Sequence, residues 1–209
     1  MDEIAQGTEE WRIARLGCAT ASRFGDILAT TKTGYSTSRA NYMAQLVLER
    51  LTGEAQESYV SPAMLHGTET EPLARMAFEA KTGLMVNEVG FIKSAEWIGC
   101  SPDGLIDADA GLEIKAPIPA THLETLLNGK LPPKHIPQIQ GSMWVTGRER
   151  WHFVSFDDRF PKHLRMFHTV VERDQAYIDN LEKEVNKFLA EVALAVERLA
   201  ALQPLKEAA

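Results

Sequence analysis

The stretch CSPDGLIDADAGLEIKAP, residues 100–117, poses the central question of this chain. Side chains alternate along a strand, so in GLEIKAP Glu113 and Lys115 point to one face while Leu112, Ile114 and Ala116 point to the other. Alone, a Glu-x-Lys of this kind is ordinarily the solvated face of a half-exposed strand. The preceding Ser101, Pro102, Asp103 and Gly104 change that reading, because they form a turn able to bring Asp103 beside Glu113 on an adjacent strand. Two carboxylates brought close repel unless a proton or a cation lies between them. Oxygen donors without His or Cys favour Mg²⁺ or Mn²⁺, at sites that leave part of the shell to water and substrate phosphate. The chemistry expected is metal-assisted hydrolysis of a phosphodiester, with Lys115 orienting the water and offsetting charge on phosphorus.

Outward from this stretch, the N-terminal third reads as helical: TEEWRIARL, TASRFGDIL with Thr20 as a cap, and STSRANYMAQLVLERLTG between a Ser36 or Thr37 cap and a Gly53 stop. A fourth helix is expected over Thr70–Lys81, with Pro72 in its first turn and Glu71 at its start. From residue 84, VNEVGFIK, EWIGCS and GLEIKAP suit a three-stranded meander. Helical THLETLLNG and QIQGSMWVTG follow, then strands RWHFVSF and FHTVVE. The chain closes on a long amphipathic helix from Asp174, whose stripe of Ile178, Leu181, Val185, Phe188, Val192 and Leu199 suits packing on its own domain or on a neighbouring subunit. Strands flanked by helices predict an α/β fold around a mixed sheet.

The 209 residues, 44% hydrophobic and 24% charged, suit a single domain over 1–209 with a sizeable core. No apolar run reaches a membrane span and MDEIAQGTEE lacks the regions of a signal peptide, so a cytoplasmic protein is expected. Cys18 and Cys100 lack metal-binding spacing and read as reduced, buried thiols. The net charge of −7 argues against a generic nucleic-acid binder, but bound cations and a locally basic channel would reverse the sign where it matters.

The order Glu71, SPDG with Asp103, and GLEIK with Glu113 and Lys115 resembles the PD-(D/E)XK nuclease superfamily. The similarity is closer to phage lambda exonuclease and the YqaJ-type viral recombinases, through QGTEEW, RLG, TAS, HGTETEPLA, SPDGLI, GLEIKAP, IPQIQGSMWVTG and VVERD. That resemblance implies a restriction-endonuclease-like core and an enzyme that degrades linear double-stranded DNA from 5′ ends. Its products would be mononucleotides and a 3′ single strand for a single-strand annealing recombinase. It further implies two Mg²⁺ per active site, replaceable by Mn²⁺, and a ring-shaped homotrimer that makes digestion processive. Residue by residue, Asp103, Glu113 and the backbone carbonyl of Ile114 match metal ligands, and Lys115 the catalytic lysine. Glu71 matches the ligand of a second metal and Gln138 the glutamine near the attacking water. Arg15 and Ser22 match the residues that hold the 5′ phosphate, and Met64 the apolar wedge at the duplex end.

Each residue also has a plainer role. Glu71 could pair with Arg75 one turn on, Gln138 could face solvent, Arg15 could be a surface cation and Ser22 a helix-start hydrogen bond. Trp11 and Trp144 read as core aromatics. His66 and His135 could touch DNA but lack a second His at ligand spacing, and Lys32 and Arg39 could meet phosphates. Two alternatives stand beside the exonuclease: a RecB-like or resolvase-type structure-specific nuclease, and a non-catalytic module that binds DNA ends and loads a recombinase. Two separated cysteines cannot supply the iron–sulfur cluster of several RecB-like enzymes, and a non-catalytic module would lack part of the Asp–Glu–Lys set.

Overall fold

The computed structural model describes residues 5–56 and 61–202. In chain order its elements are α1 (Glu9–Arg15), β1 (Ala19–Thr20), α2 (Phe24–Leu28), β2 (Thr30–Thr31), β3 (Gly34–Tyr35), α3 (Thr37–Thr52) and α4 (Pro62–Thr82). There follow β4 (Ile92–Ala95), β5 (Ile98–Cys100), β6 (Gly104–Ile106), β7 (Ala110–Lys115), α5 (Pro119–Asn128), α6 (Ile136–Thr146), β8 (Arg150–Phe156), β9 (Met166–Glu172) and α7 (Gln175–Ala200). Short polar side chains start the helices, at Ser36 as expected: Thr8, Ser36, Ser61 and Asp174 each accept a bond from the amide three residues on. Gly53 ends α3 in the left-handed conformation, φ 72°.

The main sheet has the order β6-β7-β8-β9. Strand β7 runs parallel to β8 and antiparallel to β6, and β8 is antiparallel to β9. The crossover through α5 and α6 is what allows β7 and β8 to lie parallel. One face packs on α4, joining Ala74 and Phe78 to Ile106, Leu112, Ile114 and Val154. On the other, Ile139 and Met143 of α6 and Ile178 of α7 cover Trp151 and Phe153. A third cluster joins α2, α3 and α7 with β1 and β5. Helices thus flank a mixed sheet, as the alternation of segments predicted.

Three expectations change, and for α7 one of two is selected. The meander is divided: β4 and β5 form a small sheet with β1, while the partner of GLEIK is the short strand Gly104–Ile106. Three residues are too few for a periodic signal, and their edge position shows only in the pairing. TASRFGDIL is not one helix. Ala19 and Thr20 instead pair with Ile98 and Gly99, and the Thr20 amide donates to Tyr42 Oη at 3.0 Å, so Thr20 caps nothing. Helix α4 begins at Pro62, eight residues before the expected start, which leaves Pro72 and Glu71 in mid-helix. Pro72 removes one backbone bond there, and packing of Ala74 and Phe78 at 0% exposure carries the helix through it. The stripe on α7 is consumed inside the fold, with Ile178, Leu181, Val185, Phe188 and Val192 at 0% exposure, while Leu199 stays 45% exposed. Among the described residues, no helix is long and apolar enough to cross a membrane.

Candidate active site

The β6–β7 hairpin places the first carboxylate. Gly104 pairs with Leu112, so Asp103 stands beside the next residues of β7, and its Oδ2 accepts from the Ile114 amide at 2.6 Å. Arg148 holds the turn of this hairpin by donating to the carbonyls of Ile106, Asp107 and Ala110. Glu113 is buried, at 2% exposure, on a strand whose residues Ala110–Ile114 are all buried and not on a half-exposed one. Its Oε1 meets Lys115 Nζ at 2.6 Å and accepts from Gln138 Nε2 at 2.6 Å. Its Oε2 is buried and has no hydrogen-bond partner.

Gln138 arrives in the first turn of α6. Gln140, two residues on and so on the opposite face of the helix, accepts from the Asp174 amide and donates to the Glu172 carbonyl, fixing α6 against the chain between β9 and α7. Gly141 lets α6 approach Phe24, where a Cβ would stand 2.3 Å from the ring. The motif QIQGSMW is thus a packing device as well as a source of the site glutamine.

Glu71 and Asp103 line one cavity of ≈ 550 Å³ together with Gln6, Trp11, Arg75 and Glu88. Glu71 Oε1 pairs with Arg75 at 2.7 Å, and Arg75 also meets Glu88. The plain helix pair and the cavity position are therefore both true of Glu71. Burial pushes the Asp103 carboxyl well above its ordinary range, and the charges of Glu113 and Glu71 add to the shift. Glu71 is also raised, by burial first, against the pull of Arg75. Burial would lower the Lys115 ammonium, but Glu113 and Asp103 outweigh it and hold the group up, so it is charged at neutral pH.

Two carboxyls raised by burial and by their acidic neighbours, Asp103 and Glu71, beside an orphaned Glu113 oxygen, make an environment that a divalent cation would relieve. Asp103, Glu113 and Glu71 supply hard oxygen donors and fit such an ion.

Arg15 reaches the same region from α1. Its Nη1 donates to Ser101 Oγ at 3.0 Å, and the guanidinium lies 4.0 Å over the Trp11 ring. Trp11 Nε1 donates to the same Ser101 oxygen at 3.0 Å. Ser22 is exposed in the turn after β1, with its Oγ 3.3 Å from Thr20 Oγ1, and reaches this end of the molecule through the pairing of β1 with β5. Met64 is 53% exposed beside Leu65 at 54%, in the first turn of α4 and two turns before Glu71.

Gln6, Trp11, Ser101 and Arg75 were not singled out by sequence as site residues. Gln6 donates to the carbonyls of Val89 and Pro102, tying the segment before α1 to the Asp103 turn. The signal for Trp11 was its indole N–H, which a buried aromatic must satisfy. Arg39 does not face phosphates: it is 5% exposed, pairs with Glu191 at 2.8 Å and stacks on Tyr35. His66 has neighbours that spacing could not show, Asp157 and Asp158. Cys18 and Cys100 are free and buried, and burial pushes the Cys100 thiol up to about 12.

Residues 10–149 match the YqaJ-like viral recombinase domain. The fold is shared with an alkaline exonuclease (LHK-Exo) from Laribacter hongkongensis, 46% identical, at a TM-score of 0.86 over 92% of this chain and 96% of that one. The same relative is known in complex with dAMP. A phage-related exonuclease from Haemophilus somnus 129PT shares the fold at a TM-score of 0.70 and 14% identity, over 87% of this chain and 96% of that one. The uncharacterized protein ExoD of Escherichia coli (strain K12) is 29% identical over 65 residues, 31% of this chain and 74% of its own length. With the family profile spanning most of the sequence, including Glu71, the Asp103 turn, Glu113, Lys115 and Gln138, the chain belongs to the YqaJ-like viral recombinase family.

Proposed function

We propose that this protein is a metal-dependent deoxyribonuclease of one domain that digests linear double-stranded DNA processively in the 5′-to-3′ direction, releasing 5′-mononucleotides and leaving 3′ single strands. The observation that carries this reading is the buried Glu113, held by Lys115 and Gln138 through one oxygen with the other unpartnered, beside Asp103. The likeness to an alkaline exonuclease over nearly the whole chain supports it, as does that relative's complex with dAMP.

Asp103, Glu113 and the Ile114 carbonyl would hold one divalent cation and Glu71 would serve a second, Mg²⁺ in the first place and Mn²⁺ as a substitute. Such ions supply Lewis acidity at the phosphoryl oxygen and lower the pKa of water. Lys115 stays charged beside Glu113, so it contributes a fixed positive charge where charge builds on phosphorus. Gln138, anchored on Glu113, has an amide oxygen left to orient water. Arg15 and Ser22 receive the terminal 5′ phosphate. Ser101 already accepts from Arg15 and Trp11, so its own hydroxyl proton is available to the same group. Met64 wedges the duplex end apart from the exposed start of α4. Backbone contacts of this kind carry no base information, so digestion is indifferent to sequence. The protein would work as a ring-shaped homotrimer and hand its 3′ strand to a single-strand annealing recombinase.

The test is digestion of 5′-phosphorylated linear, 5′-hydroxyl linear and covalently closed circular duplexes in parallel. Fast release of mononucleotides from the first, slower release from the second and none from the circle is the expected result. Equal cutting of circles sinks the exonuclease reading. Lys115→Ala is expected to bind ends while losing ~10²–10³-fold in turnover, and full turnover in that variant would remove Lys115 from the mechanism.

A further inference from the structure

Where β8 ends, the chain places Asp157 and Asp158 against His66 of α4. One ligand atom from each of the three lies within 4.8 Å of the others. None of them belongs to the carboxylate trio of the candidate active site. His66 Nε2 and Asp158 Oδ1 are both buried, and neither has a hydrogen-bond partner. Leaving a buried polar atom unpaired costs about 1–3 kcal/mol, so an orphaned atom on each of two residues of one such cluster favours an occupant. Thr70 Oγ1 lies 3.4 Å from His66 Nδ1 and can accept a hydrogen bond from a protonated Nδ1, which leaves the Nε2 lone pair free.

Asp157 is fully buried. Its Oδ1 accepts twice from Arg159, through the amide and Nε, while Oδ2 accepts once, from Nη2. An ionised carboxylate has about four acceptor sites, so one remains, on Oδ2. Arg159 offsets one of the two negative charges. Asp158 also lines a cavity of ≈ 700 Å³ between α4 and the segment before β9, whose wall carries Lys81, Lys162 and Arg165, so an ion is held there by ligation and not by a net negative field.

We propose that His66, Asp157 and Asp158 bind a divalent transition-metal ion at a site separate from the catalytic centre, clamping the first half of α4 to the end of β8. One imidazole with two carboxylates suits Zn²⁺ or Co²⁺ better than Mg²⁺, and three protein ligands leave a position for water. The ion would hold in place the helix that carries Met64 and Glu71. The clamp does not depend on the nuclease reading, because it uses other residues and is read by binding.

The experiment uses Co²⁺ as the probe, on the full chain carrying Asp103→Asn and Glu113→Gln to remove two of the three active-site carboxylates. Titration followed by visible absorption and equilibrium dialysis is expected to show one Co²⁺ per chain, displaced by Zn²⁺ and not by Mg²⁺. Adding His66→Ala is expected to weaken binding at least tenfold and shift the visible bands. Asp158→Asn, close in shape to the native residue, is expected to weaken binding as well and serves if the His66 variant does not fold. Absence of Co²⁺ binding by the doubly substituted chain, or unchanged affinity and spectrum in folded His66→Ala or Asp158→Asn, overturns the proposal.

Discussion

Asp103 illustrates how one residue can favour a ligand at the expense of the empty fold. Burial, with Glu113 and Glu71 nearby, raises its carboxyl well above the unfolded value of about 3.9. A carboxyl raised in this way favours the fold fully only below the unfolded pKa, and that contribution is lost as pH rises through the folded pKa. At pH 7.5 in chelator, Asp103→Asn is therefore expected to melt above the wild type, with each kcal/mol gained worth roughly 2–4 °C. The asparagine oxygen can still accept from the Ile114 amide, so the hairpin keeps its anchor. Adding Mg²⁺ is expected to stabilise the wild type and leave the variant unmoved, because a ligand stabilises only the state that binds it. Nuclease activity of the variant is expected to fall by ~10²–10³-fold. Thermal melts with and without Mg²⁺, paired with digestion rates, check both halves.

At the scale of elements, α6 is where fold and site meet. Gly141→Ala would drive a Cβ into the Phe24 ring, which is itself fully buried and cannot retreat. Overpacking of this kind costs about 1–3 kcal/mol, to be read as a lower urea midpoint. Gln138 sits one turn earlier on the same helix, so a drop in turnover should accompany the loss. Strands β8 and β9 carry a second element-scale effect. His152 Nδ1 and His168 Nε2 lie 2.9 Å apart, with the Phe78 ring edge-on to both. Burial lowers His152 to about 4, helped by His168 and Arg150 against Asp109, and it lowers His168 as well, with Lys81 nearby. A histidine depressed in the fold contributes stability that is whole above the unfolded value near 6.5 and is lost as pH falls from there towards 4. The urea midpoint of the wild type is expected to fall across that window, and a His152→Phe, His168→Phe pair is expected to flatten the slope.

For the whole molecule, the structure redirects the question of assembly. The apolar stripe of α7 is occupied by α2 and α3, so it is core and not a spare face. Leu181→Ala is accordingly expected to cost about 2–5 kcal/mol in chemical denaturation and to leave the oligomeric state of the folded protein unchanged. A truncation in a subunit contact would instead shift that state towards the single chain. The proposed trimer, checked by sedimentation against the 23.2 kDa chain, must then use other surfaces.

The elements and residues that could be read without coordinates were those with local causes. Helix caps at Ser36 and Asp174, the stripe of α7 and the Glu-x-Lys alternation of β7 all follow from interactions within a few residues. The same holds for the pairing of Asp103 with GLEIK, because a hairpin brings close neighbours in sequence together. Glu71 and Gln138 entered by resemblance to a family, and their positions beside Asp103 and Glu113 depend on α4 and α6 packing on opposite faces of one sheet. The parallel pairing of β7 with β8, the passage of α4 through Pro72, the occupation of Arg39 by Glu191 and Tyr35, and the meeting of His66 with Asp157 and Asp158 had no local signature. Each joins segments far apart in the chain, where burial of apolar surface and satisfaction of buried polar groups, and not local preference, choose the partner.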